Sequence, residues 1–192
     1  MRAGFYGWRA AEKGFVFLCW TNTKPNMPPL YAKQPLVGNN PIVMAVPRSK
    51  GPLVLDMALS QFSYGKLEMY ERTGRTMPYD AGYDAQGRLT DDPGKVLESG
   101  RILPIGFWKG SGLAVMLDIL AGFLSGGAVT HQITDEEPNL SQVFIAISID
   151  QLGGQAHADE IADDLVANLN SLTEDQREQH IAYPGQNTLR RR

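Results

Sequence analysis

The strongest constraint in this sequence is an apolar stripe within residues 100–128. Apolar side chains recur there at the spacing of one helix face, at Leu113, Met116, Leu117, Leu120, Phe123 and Leu124. Asp118 falls on the other face. Glycine past the last turn is a common helix stop, so the helix is predicted to end at Ser125-Gly126-Gly127. A stripe this continuous predicts that this face of the helix is buried.

Residues 108–112 stand immediately before this stripe and form a candidate anion site. Ser111 can cap the helix, and Gly110 and Gly112 let another group approach the backbone closely. Free N–H groups at a helix N-terminus, with Lys109 beside them, would attract an anion. The same residues are also typical of a tight turn next to a solvated lysine. No complete dinucleotide or phosphate-loop motif decides between the two interpretations.

Composition limits the class of protein. A chain of 192 residues, 43% of them hydrophobic, is long enough for one domain. The net charge of -3 argues against nucleic acid as a partner. No run approaches the roughly 20 apolar residues that cross a bilayer, and no secretory leader is recognisable. Cys19, the sole cysteine, lies in an apolar run and is predicted to be buried. A cytoplasmic location is expected.

Periodicity along the chain predicts an α/β fold. Arg9 to Gly14 is typical of a helix end stopped by glycine. Further helices are predicted at 58–72, with a break near Gly65, and at 158–172, where Ile161, Leu165, Leu169 and Leu172 share a face. Short apolar runs predict strands at 15–20, 42–46, 53–55 and 143–149.

Two features leave alternatives open. Asp56 follows a predicted strand, where an acidic residue serves equally well as a ligand contact or as a helix cap. Residues 74–100 are rich in turns, and a connection of this length usually carries a hairpin, a flap or a functional loop. A turn is also predicted at 183–187, just before the end of the sequence.

The residues that could carry catalysis are few. His131, His157 and His180 are far apart in sequence and none has metal-ligand spacing to another, so no metal site is predicted. No serine stands in a nucleophile elbow. Each histidine is therefore interpreted as a surface or loop residue.

Three motifs together carry a family resemblance. They are Gly-Arg-Ile-Leu-Pro-Ile-Gly-Phe-Trp-Lys-Gly-Ser-Gly-Leu at 100–113, Asp-Met-Ala-Leu-Ser at 56–60 and Ser-Tyr-Gly-Lys at 63–66. With them the chain resembles the malate/L-lactate/ureidoglycolate dehydrogenase family over essentially all 192 residues. The resemblance implies a largely antiparallel sheet flanked by helices, which is not a Rossmann fold, and a homodimer.

The resemblance also implies hydride transfer between a nicotinamide cofactor, NADH or NADPH, and a small 2-oxo acid or sugar acid. Matched motif by motif, it implies these cofactor contacts: Pro52, Leu53, Val54, Leu55, Asp56, Met57, Ala58, Trp108, Lys109, Gly185, Gln186 and Asn187. The sequence departs from the family's usual residues at Gln186 and Asn187.

The resemblance implies that part of the catalytic machinery lies elsewhere. In the family a Ser-His-Gly motif supplies the proton-donating histidine, and residues 1–192 contain no match to it. The chain is therefore expected to be a single, incomplete NAD(P)-binding domain, truncated at both ends, with no catalytic residue of its own. The alternative is a non-catalytic nucleotide-binding or dimerisation remnant of such an enzyme.

Overall fold

The computed structural model describes residues 3–134, 139–172, 179 and 181–191. Its helices are α1 (Ala3–Glu12), α2 (Tyr64–Arg72), α3 (Pro93–Ser99), α4 (Trp108–Ser125), α5 (Gly154–Leu169) and α6 (Gln186–Leu189). Its strands are β1 (Phe15–Thr21), β2 (Ile42–Val46), β3 (Leu53–Met57), β4 (Gly82–Tyr83), β5 (Leu89–Thr90) and β6 (Gln142–Ser148). Short 3-10 turns occupy Thr130–Gln132 and Ile149–Leu152.

These elements divide between two units. The first contains the described residues of Met1–Cys19, Ile42–Met57 and Phe144–Arg192, and the second contains those of Trp20–Pro41 and Ala58–Val143. None of the described helices is long and apolar enough to cross a membrane.

The first unit is built on a sheet with the strand order β3-β2-β1-β6. The predicted strands are confirmed, because runs rich in β-branched and aromatic residues suit a pleated, half-buried surface. β2 and β3 pair antiparallel, with Ala45 opposite Val54 and Val46 opposite Leu53. The chain turns between these two strands through residues 47–52.

Helix α1 packs closely on β2 and β3. Gly7 faces the sheet, where a Cβ atom would stand 2.7 Å from Val43 Cγ1. Trp8 and Ala11, from the same helix face, share a core with Val43 and Cys19. Cys19 is fully buried, as predicted, and burial raises the pKa of its thiol to about 11. The helix ends as the sequence predicts, with Gly14 at φ +79°.

Helix α5 is tied to the turn between β2 and β3 by charged groups. Asp163 accepts hydrogen bonds from Arg48 Nε at 2.6 Å and Lys50 Nζ at 2.7 Å. Asp159 accepts from the N–H and the hydroxyl of Ser49 at 2.7 and 2.6 Å. The hydrogen bonds from Lys50 and Ser49 are the main reasons why the pKa values of Asp163 and Asp159 lie below their ordinary range.

In the second unit, helix α2 starts later than predicted. It begins at Tyr64, with Ser63 as the N-cap whose hydroxyl accepts from the Lys66 N–H at 3.2 Å. Gly65 is thus a first-turn residue that interrupts no helix, and a Cβ atom added there would meet nothing within 4 Å. The prediction of a helix from residue 58 was wrong because the capping serine outweighs the weak apolar pattern before it.

The turn-rich segment 74–100 contains a hairpin and a helix. β4 and β5 pair antiparallel, and the Asp84 carboxylate in their turn accepts from the N–H groups of Gln86 and Arg88, both at 2.9 Å. These bonds, chiefly the one from the Arg88 backbone, lower the pKa of Asp84. Asp92 then caps α3. The hairpin alternative is the one that the structure contains.

Within this chain, helix α4 does not bury most of the predicted apolar stripe. Its buried face consists of small residues together with Leu117, namely Gly110, Ser111, Ala114, Leu117, Ala121 and Gly122. Other members of the predicted stripe are exposed, with Phe123 at 83% and Met116 at 52%. Small side chains let the helix approach its neighbours closely, so they occupy the inner face. The predicted end is confirmed, since Gly126 is a left-handed C-cap at φ +66°.

Helix α5 shows the same difference. Ile161 and Leu165 of the predicted stripe are 58% and 51% exposed, whereas Ala162 and Val166 are buried. The helix occupies Gly154–Leu169, earlier than the predicted 158–172.

Candidate functional site

Strand β3 carries most of the predicted cofactor contacts. Pro52 and Val54 are buried, and Leu53, Leu55 and Met57 are half-buried on the opposite face of the strand from Val54. Ala58, which begins the next part of the second unit, is also half-buried. The half-buried side chains of β3 are therefore the ones that offer apolar surface to a ligand.

The Asp56 carboxylate forms a hydrogen bond within the first unit. It accepts this bond from the backbone N–H of Gly4, and a Cβ atom on Gly4 would clash with Asp56 Oδ2. Desolvation raises the pKa of Asp56, and the Gly4 hydrogen bond opposes this shift. A carboxylate of β3 placed beside the N-terminal turn of α1 stabilises that helix end. Asp56 therefore does not cap the next helix along the chain, which begins at Tyr64 with Ser63 as its N-cap, and its role as a ligand contact stays a prediction.

The turn at 183–187 lies against β3. The Val54 N–H donates to the Pro184 carbonyl at 3.1 Å. Gly185 has φ +85°, and a Cβ atom there would stand 3.0 Å from the Val54 carbonyl oxygen. Gln186 is 8% exposed and its Oε1 accepts from the Tyr183 N–H, whereas Asn187 is exposed. The structure therefore brings together two of the three predicted cofactor segments, and only Asn187 of the second keeps an exposed side chain.

Trp108 and Lys109 belong to the second unit and open helix α4. Both side chains are exposed, Trp108 at 70%. The residues before them have unusual backbone angles, with Gly106 at φ +58° and Phe107 at φ +57°. A positive φ is costly for an aromatic residue and is maintained only where its surroundings enforce it. This strained entry leaves an aromatic side chain and a cationic side chain exposed in the first turn of α4.

The expected free N–H groups at this helix end are not all free. Lys109, Gly110 and Ser111 donate their N–H groups to the carbonyls of Gly106, Ile105 and Phe107, at 3.2, 2.8 and 3.1 Å. The prediction was wrong because the helix begins three residues before Ser111, through a tight turn that uses these donors. An anion at this site would depend mainly on the Lys109 side chain.

Ser111 is likewise not the helix cap. Its hydroxyl is buried and accepts from the Leu30 N–H at 3.1 Å, while Phe107 holds the cap position without a side-chain hydrogen bond. The close approach expected at Gly110 is confirmed, because a Cβ atom there would stand 2.3 Å from the Ile105 carbonyl oxygen. At Gly112 a Cβ atom would make only ordinary contact, 3.7 Å from the Trp108 ring.

The histidines do not form a cluster in the described structure. His131 is exposed in a 3-10 turn, and His157 is exposed in α5 with its Nδ1 3.5 Å from Glu160 Oε2. Both are surface residues, as predicted, and His180 lies outside the described residues. Within the described ranges no three His, Cys, Asp or Glu side chains are grouped in a way that could hold a metal ion.

A buried polar network in the second unit was missed by the sequence analysis. The fully buried Asn22 donates to Asp118 Oδ1 at 2.9 Å and to the Ala128 carbonyl at 2.8 Å. Asp118 also accepts from the Thr130 N–H. An isolated aspartate in an otherwise apolar helix was the available signal, because such a carboxylate needs partners when water is scarce. The network fixes the segment after α4 and is structural.

The sequence is similar to known enzymes along its whole length. The family model described as malate/L-lactate dehydrogenase matches residues 1–192. A 2,3-diketo-L-gulonate reductase from Escherichia coli O127:H6 is 42% identical over 188 residues, which are 96% of this chain and 56% of that protein. A protein of the same name from Citrobacter koseri is 48% identical over 155 residues, covering 79% of this chain and 46% of that protein. The chain thus spans about half the length of these curated relatives.

A solved structure gives the same result for the fold. The sulfolactate dehydrogenase from Methanocaldococcus jannaschii aligns with a TM-score of 0.85 at 29% identity, covering 98% of this chain and 55% of that chain. The motif-based family resemblance and the fold class that it implied are both confirmed.

Proposed function

Because this chain belongs to the malate/L-lactate dehydrogenase family, we propose that it is part of an oxidoreductase that transfers a hydride between a nicotinamide cofactor and a 2-oxo acid or sugar acid. The observation that carries the proposal is the family match over residues 1–192. The relatives named 2,3-diketo-L-gulonate reductase support 2,3-diketo-L-gulonate as the substrate. We further propose NADH as the cofactor, with NADPH as the alternative, and a cytoplasmic location.

Residues 1–192 would supply one incomplete cofactor-binding domain of this enzyme. The predicted contacts with accessible side chains suit the parts of a dinucleotide. In the first unit, Leu53, Leu55 and Met57 would offer apolar surface. In the second unit, Trp108 would offer an aromatic face and Lys109 a charge to the phosphates. Pro52, Val54, Gly185 and Gln186 would shape the backbone beneath the β3 side chains, Asp56 would hold α1, and Ala58 and Asn187 would complete the contacts. The bound nicotinamide would supply the hydride.

The test of this site is the cofactor affinity of a Lys109→Ala variant. Losing a charge-assisted contact costs about 1–3 kcal/mol, so NADH binding should weaken about 5- to 150-fold. Calorimetric titration measures the change. Lys33→Ala is the matched control, since it removes an exposed positive charge from the same unit.

Two results would contradict this site. An unchanged dissociation constant in Lys109→Ala would remove Lys109 from it. Failure of the unsubstituted chain to bind NADH or NADPH would contradict the cofactor proposal itself.

The alternative function is a non-catalytic nucleotide-binding or dimerisation role.

We expect residues 1–192 alone to show little or no NADH-dependent reduction of 2,3-diketo-L-gulonate. The reaction needs a proton for the developing alkoxide, and a positioned general acid typically contributes about 10²–10⁴-fold. His131 and His157 are exposed surface residues, and neither matches a catalytic motif of the family.

An NADH-absorbance assay of this chain beside the full-length Escherichia coli relative distinguishes these roles. Comparable turnover by the two proteins would mean that the acid lies within residues 1–192, and His131 would then be the first residue to substitute. NADH binding without turnover is the expected result for an incomplete domain.

A further inference from the structure

The first unit contains a pocket that none of the expected cofactor contacts lines. It has a volume of about 390 Å³ and lies beside α1 and β1. Its lining residues are Phe5, Tyr6, Arg9, Ala10, Lys13 and Phe17. The pocket is a wide-open depression in the surface rather than an enclosed cavity, so a ligand bound there would stay partly exposed to solvent.

Aromatic rings form the apolar part of this pocket. The Phe5 and Tyr6 rings meet edge to face, with centroids 5.7 Å apart and an interplanar angle of 80°. Tyr6 also meets Phe144 of β6 edge to face, at 5.6 Å. Phe5 is 58% exposed and Tyr6 46% exposed, so their rings remain accessible. A planar apolar ligand would remove this surface from water and gain edge or face contacts with the rings.

Two cations supply the polar part of the pocket. Arg9 Cζ lies 5.8 Å from the Phe5 ring centroid, and Lys13 follows one helical turn later. Both side chains are exposed, and no Asp or Glu is among the lining residues. A guanidinium offers a planar fork of donors that matches carboxylate and phosphate groups. The pocket therefore favours negative charge at the edge of an aromatic surface.

We propose that this pocket binds a small planar aromatic anion. The ring of the ligand would lie against Phe5 and Tyr6, and its anionic group would bind Arg9 and Lys13. Aryl carboxylates and nucleotide monophosphates share this chemistry. The two cations favour such a ligand over an apolar segment of a second protein, because docking an apolar segment would desolvate both charges without pairing them.

Calorimetric titration with 1-naphthoate and, separately, with AMP tests the proposal and distinguishes these two sources. Saturable binding of at least one of them, with one ligand per chain, is expected. 1-Naphthalenemethanol has the same rings without the charge and should bind more weakly. Arg9→Gln and Phe5→Ala should each weaken binding of the anion by about 10-fold or more, since each removes one of the two recognition elements.

Lys66→Gln is the matched control. Lys66 Nζ also stands over an aromatic ring, 4.9 Å from the Phe62 centroid, but outside this pocket. Its substitution should leave the affinity unchanged. Absence of saturable binding by both anions would overturn the proposal, as would equal affinities in the Arg9→Gln and unsubstituted proteins. If neither anion binds and Phe5→Ala lowers the sedimentation coefficient, the surface is a contact between chains and the proposal fails.

Discussion

Gly110 shows how a single missing side chain positions the start of a helix. An ideal Cβ atom at this residue would stand 2.3 Å from the Ile105 carbonyl oxygen and 2.7 Å from the Ile105 nitrogen. Both are backbone atoms, and the Gly110 N–H already donates to that carbonyl. A side chain here cannot be accommodated by rotating a neighbour. Gly110 therefore fixes the turn that exposes Trp108 and Lys109.

We expect Gly110→Ala to destabilise the protein by about 1–3 kcal/mol, because overpacking must displace backbone. Gly112→Ala, in the same helix, is the matched control. Its Cβ atom would only touch the Trp108 ring at 3.7 Å, so the lower backbone entropy of alanine should stabilise the protein by about 0.5–1 kcal/mol. Urea unfolding followed by circular dichroism measures both. Equal stability of the two variants would contradict this account of Gly110.

Single residues were predictable where their own chemistry decides their environment. Cys19 is buried because it lies in an apolar run, and Gly126 ends a helix because glycine tolerates a positive φ. Ser111 could not be assigned this way. A serine at a cap and a serine buried in the first turn look alike until the path of the preceding chain is known, and that path depends on the strained Phe107.

The positions of helices and strands along the chain were more predictable than the face that each helix buries. The strands follow from local runs of apolar residues, and glycines mark the helix ends. The inner face of a helix depends on what it packs against. In α4 and α5 the neighbours accept Ala114, Ala121 and Ala162, so larger side chains such as Phe123 and Ile161 lie outside. Periodicity identifies an apolar face, but it does not tell whether a second, small-residue face packs more closely.

The charged contacts between α5 and the β2–β3 turn predict a pH dependence of stability. The pKa of Asp163 is lowered in the folded protein, so its contribution is present above the ordinary aspartate pKa of about 4. That contribution is lost as the pH falls through the lower folded value. Asp163→Asn should therefore reduce the melting temperature at pH 7, and the difference from the unsubstituted protein should shrink below about pH 4.

Thermal unfolding between pH 3 and pH 7 measures this dependence. Asp164→Asn removes an equally charged, exposed side chain from the neighbouring position and should have a smaller effect at pH 7. If the two substitutions lower the melting temperature by the same amount at every pH, the contacts of Asp163 with Arg48 and Lys50 do not stabilise the fold.

At the scale of the whole molecule, the exposed apolar face of α4 is a candidate contact surface for the homodimer that the family resemblance implies. Leu113, Met116, Leu120, Phe123 and Leu124 are each at least 37% exposed along a helix of 18 residues, about 27 Å in length. Exposed apolar surface of this extent is unusual unless something covers it. We propose that a second copy of the chain does so.

Sedimentation velocity tests this surface. The unsubstituted chain should sediment as a dimer, and a Met116→Glu/Phe123→Glu double variant should shift toward monomer, because two buried charges would lack partners. Met69→Glu is the control, since Met69 is similarly exposed at 44% but belongs to α2. A double variant that remains dimeric, or an unsubstituted chain that is monomeric, would exclude α4 as the dimer surface.

The motifs named the candidate site residues, but they did not indicate how these residues assemble. The motifs located all three segments, and the contact between Val54 and Pro184 brings two of them together. That contact is a hydrogen bond between residues 130 positions apart, which no local pattern encodes. The role of Asp56 was equally hidden, because its partner is a backbone N–H group rather than a side chain.

Strand β6 has a consequence for handling the protein at high concentration. Among the described residues it forms one end of the sheet, and residues 144–147 at its centre are all exposed. Its seven residues include no charge and no proline. Uncharged apolar strands at a sheet edge are templates for their own copies, and stacked copies lead to cross-β aggregates. Pairing between β6 edges should therefore cause aggregation in a concentrated solution. An Ile145→Lys substitution should slow this aggregation, because it places a charge on the edge strand.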